Sequence, residues 1–138
     1  MKRTRIVCLI LAVILLVACS ACNRTPNDPW SSATYKEDAE FGTGSKTVLV
    51  DVQVEDKAVT FKINTDKETL GEALLEHGLI SGEEGAYGLY VKVVNGITAD
   101  YNSNQRYWSL TKNGEYMQTG VDGTVIADGE QYALVYTE

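Results

Sequence analysis

Residues 46–77 read KTVLVDVQVEDKAVTFKINTDKETLGEALLEH, and two different periods follow one another within them. Val48, Val50, Val52 and Val54 alternate with Leu49, Asp51 and Gln53; after the polar Glu55-Asp56-Lys57 turn, Val59, Phe61 and Ile63 alternate again. Period two belongs to a strand with one buried face, so the two runs predict a β-hairpin. Thr65-Asp66-Lys67-Glu68 then places a hydroxyl at a helix N-cap with a carboxylate three residues on, the pattern of a capping box. Leu70, Ala73, Leu74 and His77 follow at helical spacing and Gly78 supplies the stop, which predicts a helix over 66–77.

Everything downstream reads as short strands. Leu89 to Val94 is a strand, Asn95-Gly96 its tight turn and Ile97 to Tyr101 the return. A second Asn-Gly, Asn113-Gly114, separates Tyr107–Thr111 from Tyr116–Gln118, and Asp128-Gly129 leads into a closing strand, Gln131–Tyr136. Gly82, Glu83, Glu84, Gly85 and Gly88 read as a solvated loop after the helix. One helix among many strands cannot make a doubly wound parallel sheet, which needs a helix at each crossover. The class is therefore α+β, a small β-grasp-like domain over 46–138 in which a sheet curls round one helix.

Working toward the N-terminus, the character of the chain changes twice. Residues 20–45 are rich in Ser, Thr, Asn, Gly and Pro with little apolar periodicity, so they predict a flexible tether. Trp30, Tyr35 and Phe41 interrupt it and are expected to touch the domain or a lipid interface. Before that, Lys2, Arg3 and Arg5 precede an unbroken apolar run from Ile6 to Ala18, long enough for a signal-peptide core and short of the ~20 residues that span a bilayer. The run closes on Leu16-Val17-Ala18-Cys19, which resembles a bacterial lipobox. Residues 1–18 are then a lipoprotein signal peptide, and residues 19–45 an acylated N-terminus and tether that begins at the lipidation site Cys19. Cys22 is a poorer acceptor because Cys19-Ser20-Ala21 offers no bulky residue at the third position back. The expected location is the extracytoplasmic face of a bacterial cell membrane, with the bilayer as partner through acylated Cys19.

Composition narrows function mainly by exclusion. The 138 residues carry 12 Lys+Arg and 19 Asp+Glu, so loss of Lys2, Arg3 and Arg5 leaves 9 basic against 19 acidic groups and a net charge of −10. Such a surface argues against nucleic acid as a partner. Of three cysteines, Cys8 leaves with the signal and Cys19 takes lipid, which leaves Cys22 without an intramolecular disulfide partner. His77 is the only histidine, so a two-histidine zinc site is impossible, and its place at a helix C-terminus accounts for it without function. Asp122, Asp128 and Glu130 have no EF-hand spacing and read as turn residues beside Gly123 and Gly129. No nucleophile–base–orienter set can be assembled, so no catalytic residue, cofactor or metal site is expected.

The ordered motifs Tyr90…Asn95-Gly96…Tyr107-Trp108-Ser109-Leu110…Asn113-Gly114…Gly120-Val121-Asp122…Asp128-Gly129-Glu130 resemble the transcobalamin-like C-terminal domain of bacterial surface lipoproteins, the DUF4430 family. The resemblance extends back through Thr65, Thr69, Leu70, Ala73 and Leu74 to the first hairpin. It implies a β-grasp-like fold, and in animal cobalamin carriers the related domain closes over one face of a corrin ring held by a helical domain. By motif position, Tyr90, Tyr107, Trp108 and the loop Met117-Gln118-Thr119 correspond to regions near that ring. On residue chemistry alone, Trp108 on a central strand reads as core before contact.

The reading that follows is a membrane-anchored, cell-surface small-molecule-binding lipoprotein, non-enzymatic, with a corrinoid of the cobalamin type as ligand rather than cofactor. A membrane uptake transporter or a second binding protein would be its partner. The alternative is a surface protein- or glycan-interaction module with no small-molecule ligand. Metabolic labelling with a palmitate analogue tests the anchor: Cys19→Ala abolishes label and Cys22→Ala retains it, whereas the reverse result moves the lipid to Cys22.

Overall fold

The computed structural model describes residues 28–138; the segment read as a signal peptide, Cys19 and Cys22 lie outside the described residues. A 3-10 turn, Pro29–Ser32, comes first. The strands are β1 (Ala39–Phe41), β2 (Lys46–Val54), β3 (Lys57–Thr65), β4 (Ile80–Gly85), β5 (Gly88–Val94), β6 (Ile97–Thr98), β7 (Tyr107–Lys112), β8 (Glu115–Tyr116) and β9 (Gln131–Thr137). Helix α1 (Leu70–Glu76) follows β3, α2 (Tyr101–Asn104) follows β6, and a second 3-10 turn, Val121–Gly123, precedes β9. No helix among the described residues is long and apolar enough to cross a membrane.

The main sheet has the order β1-β3-β2-β9-β7-β8 and a smaller one the order β4-β5-β6. The predicted hairpin is β2–β3, nine residues each, with Val50 opposite Phe61 and Val52 opposite Val59. Strand β9 returns to lie parallel to β2, Val50 beside Tyr132 and Val52 beside Leu134, and β7 completes the centre antiparallel to β9. Because side chains alternate across a strand, this register gathers Val48, Val50, Val52, Val54, Val59, Phe61, Ile63, Tyr132, Leu134, Trp108 and Leu110 on one inner face, all buried. Leu70, Ala73 and Leu74 of α1 cover it. Each fully buried side chain of this size contributes roughly 1.5–3 kcal/mol relative to exposure.

The architecture is the expected α+β one, with differences in where elements begin. Helix α1 starts four residues later than predicted. Its capping box is Thr69 with Glu72, whereas Thr65 pairs with Lys46 at the end of the β2–β3 ladder, buried, its hydroxyl accepting the Lys67 N–H at 3.0 Å. The C-terminus matches expectation. His77 is the C-cap, Gly78 takes φ +65°, and the Leu79 and Gly78 N–H groups donate to Leu74 and Leu75 carbonyls at 3.0 Å, a complete Schellman motif. The predicted loop at 82–85 is strand β4, because Gly82 lets the Tyr90 carbonyl approach where a Cβ would sit only 1.9 Å away. The return predicted for Ile97–Tyr101 stops at Thr98, since Asp100 caps α2 by accepting the Asn102 N–H. Likewise β8 ends at Tyr116 rather than Gln118.

The larger correction lies in residues 28–45, predicted as flexible tether. Strand β1 adds parallel to β3, Ala39 beside Phe61 and Phe41 beside Ile63. Trp30 and Ala33 are buried, and the Phe41 ring meets those of Tyr35, Phe61 and His77 at 5.2–5.6 Å between centroids. Aromatic burial supplies what the composition of this segment seemed to lack.

One polar cluster closes the inner face at its open end. Lys112 lies opposite Tyr132 and forms an ion pair with Glu130. Burial alone would raise the Glu130 carboxyl, but the Lys112 ammonium and the Ala127 N–H outweigh it and hold the group below the usual carboxylate range. Burial, with Glu130 adding to it, pushes the Tyr132 phenol up to about 12.

The reassigned cap gives a direct check. Thr69→Ala loses the N-cap bond and costs about 1 kcal/mol in urea unfolding, with an unchanged m-value. A loss in Thr65→Ala together with no effect of Thr69→Ala would restore the earlier helix start.

Candidate functional site

Strand β5 and the segment following β8 carry most of the residues that the sequence nominated. Strand β5 carries a bulge: Ser81 pairs with Val93 and Gly82 with Val91, which leaves Lys92 as the extra residue. The Lys92 carbonyl turns to two other donors, the Ala99 N–H at 2.7 Å and the Trp108 indole N–H at 3.2 Å. Trp108 is buried, its ring at 5.4 Å from Tyr136 in an edge contact. It pins the small sheet to the large one.

Outward from this anchor, the Lys92 ammonium sits 3.1 Å from Glu83, 3.7 Å from Asp100 and 6.0 Å from the centre of the Tyr90 ring. The Glu83 carboxylate is the main reason the Lys92 pKa is raised, so the ammonium stays charged. Tyr90 is 45 % exposed, with the Lys92 ammonium over its ring. At the other end of β5, Asp122 accepts the Leu89 N–H at 2.9 Å. Its carboxylate fits because Gly71 and Gly88 are glycines: a Cβ at Gly71 would lie 2.4 Å from Asp122 Oδ1. This clasp brings the segment 117–124 to β5.

Within that segment Met117 is half-buried against the core, its N–H donating to the Leu110 carbonyl at 2.9 Å. Gln118 and Thr119 are exposed, and the Thr119 hydroxyl lies 3.5 Å from that of Thr124. Strand β5 thus carries an exposed aromatic ring beside a neutralised cation, and the segment clasped to it carries a thioether, an amide and a hydroxyl. Groups of these kinds hold flat ligands with a polar rim by stacking and hydrogen bonding.

Two nominated residues stand apart from this group. Tyr107 and Trp108 are neighbours on β7 and so point to opposite faces, and Tyr107 lies opposite Thr137 on the outer side of the large sheet. Trp108 belongs to the core beneath the junction and has no free edge to offer a ligand. Lys92, Glu83 and Asp122 were not nominated. Gly71 inside the first turn of a helix was the available signal for Asp122, since a helical glycine usually marks a close approach. Asp128 and Glu130 are turn residues as expected; Asp128 accepts the Thr47 N–H at 2.7 Å.

A family model, Domain of unknown function (DUF4430), matches residues 67–137. The chain belongs to the DUF4430 family. None of the curated proteins matches it. Among solved structures, the DUF4430 chain is 38 % identical to a protein from Ruminococcus gnavus ATCC 29149 to which metal binding has been ascribed, with a TM-score of 0.64 over 68 % of this chain and 98 % of that one. It also shares its fold with haptocorrin in complex with Cbi, at 20 % identity and a TM-score of 0.58, over 71 % of this chain. That match spans 26 % of haptocorrin.

The division of this DUF4430 junction into anchor and surface predicts opposite stability responses. Trp108→Ala costs about 3 kcal/mol or more, as for a core aromatic, while Tyr90→Ala stays within about 0.5 kcal/mol of the parent. Both are read from urea melts, and a large loss in Tyr90→Ala would make that ring structural.

Proposed function

We propose that this protein is a lipid-anchored, extracytoplasmic binding protein that captures a corrinoid and passes it to a membrane uptake transporter, without transforming it. The observation that carries the reading is the fold shared with haptocorrin, a protein whose structure holds Cbi. A corrin is a broad, flat ring with an amide-bearing rim. Tyr90 and Met117 supply the apolar surface for one ring face, and Gln118 and Thr119 supply amide and hydroxyl partners for the rim. Tyr107 and Trp108 take no part in this site.

His77, the only histidine, has its Nε2 buried with no hydrogen-bond partner and its ring against Phe41. Metal binding is ascribed to the Ruminococcus gnavus protein, and among the described residues of this chain no three His, Cys, Asp or Glu side chains converge.

With one ring face covered, affinity is micromolar or weaker, each tenfold step representing about 1.4 kcal/mol. Calorimetric titration of the full-length protein with cobalamin and cobinamide measures it. The double variant Tyr90→Ala, Gln118→Ala weakens binding about tenfold or more; equal heats in parent and variant remove the site, and no heat at millimolar ligand removes the activity.

A further inference from the structure

The inner face of the large sheet is covered by α1, the small sheet and the two 3-10 turns, but the outer face carries a second set of side chains with a different chemistry. Ladder registers fix its rows. Thr60, Asp51, Ala133, Thr111 and Tyr116 lie side by side across five strands, and Ala58, Gln53, Val135 and Ser109 form the next row. Buried Ala133 is the low point, and the taller side chains around it leave a groove of about 380 Å³ bordered by Asp51, Gln53, Thr111, Asn113 and Gln131.

The groove is polar and partly prearranged. Asp51 accepts the Thr60 hydroxyl at 2.7 Å on one oxygen and the Gln131 amide at 3.2 Å on the other, which fixes the carboxylate while leaving lone pairs on both oxygens. The side chains of Gln53, Asn113 and Thr111 meet no hydrogen-bond partner among the described residues. Tyr116 is 66 % exposed and shares the face by its register with Thr111, a ring platform at the rim.

Charge and polarity select the occupant. Asp51 is the only charged residue lining the groove, and the chain carries a net charge of −7, so phosphate, sulfate and uronate groups are repelled. Ala133 gives too little apolar surface for a corrin face. What fits is a neutral molecule that offers many hydroxyls to donors and acceptors alike and a C–H face to an aromatic ring. We propose that the outer face of the large sheet binds a neutral glycan chain, one pyranose against Tyr116 and its neighbours hydrogen-bonded to Asp51, Gln53, Asn113 and Thr111. This site lies on the opposite side of the sheet from the β5 junction and does not depend on the corrinoid reading.

The test titrates the full-length protein with cellohexaose, maltohexaose and hexa-N-acetylchitohexaose, following heat and the side-chain amide resonances of Gln53 and Asn113. At least one saccharide binds at millimolar concentration or below and shifts those resonances. Tyr116→Ala and Gln53→Ala each weaken binding about tenfold while Tyr90→Ala leaves it unchanged; circular dichroism verifies that all three variants keep the parental fold. Silence from all three saccharides overturns the proposal, as does binding that Tyr116→Ala and Gln53→Ala leave intact or that Tyr90→Ala removes.

Discussion

The parallel pairing of β2 with β9 joins the first long strand of the domain to the last, across more than seventy residues of chain. Until it forms, Val50 and Val52 have Phe61 and Val59 on one side and nothing on the other. Once it forms, Tyr132 and Leu134 complete the inner face, β7 has an edge to join, and α1 has a surface wide enough to cover. Closing so long a loop is entropically costly, and contacts of this separation slow folding relative to a helical bundle of equal size. A helix of seven residues is marginal alone, so α1 depends on that closed sheet as much as the sheet depends on its cover.

Where local chemistry decided structure, the sequence could be read directly. The valine alternation has one strand solution, and Asn95-Gly96 and Asn113-Gly114 adopt positive φ at both positions, as a two-residue hairpin turn demands. Where tertiary pairing decided, it could not. Thr65-x-x-Glu68 and Thr69-x-x-Glu72 both satisfy a capping box, and only the ladder partner of Thr65 distinguishes them. Strand β4 contains Gly82, Glu83, Glu84 and Gly85, residues of low strand propensity, and its existence rests on the fit of Gly82 against β5. Strand β1 has three residues and one neighbour, which leaves no periodicity to detect.

The candidate site was partly legible for the same reason. Motif position nominated Tyr90 and the 117–119 segment but could not orient Tyr107 against Trp108. Parity could have done so: Trp108 and Leu110 alternate with Tyr107, Ser109 and Thr111, which already assigns the indole to the apolar side. The polar contacts that shape the junction, Lys92 with Glu83 and Asp122 with Leu89, link residues brought together only by the bulge and by the glycine gaps. A single sequence carries no local mark of either.

The folding of residues 28–45 onto the domain also shortens the reach that the proposed lipid on Cys19 would allow. A linker running from Cys19 to Ser45 would have reached roughly 90 Å when fully extended, but Asp28 is already held, 3.9 Å from Lys57. Between Cys19 and Asp28 the chain spans at most about 30 Å. With the proposed lipid on Cys19, the leash is therefore about a third of the length that the composition of residues 19–45 suggested. Held by the proposed lipid, the domain would remain within that short distance of the bilayer and would meet only partners that keep equally close to the surface.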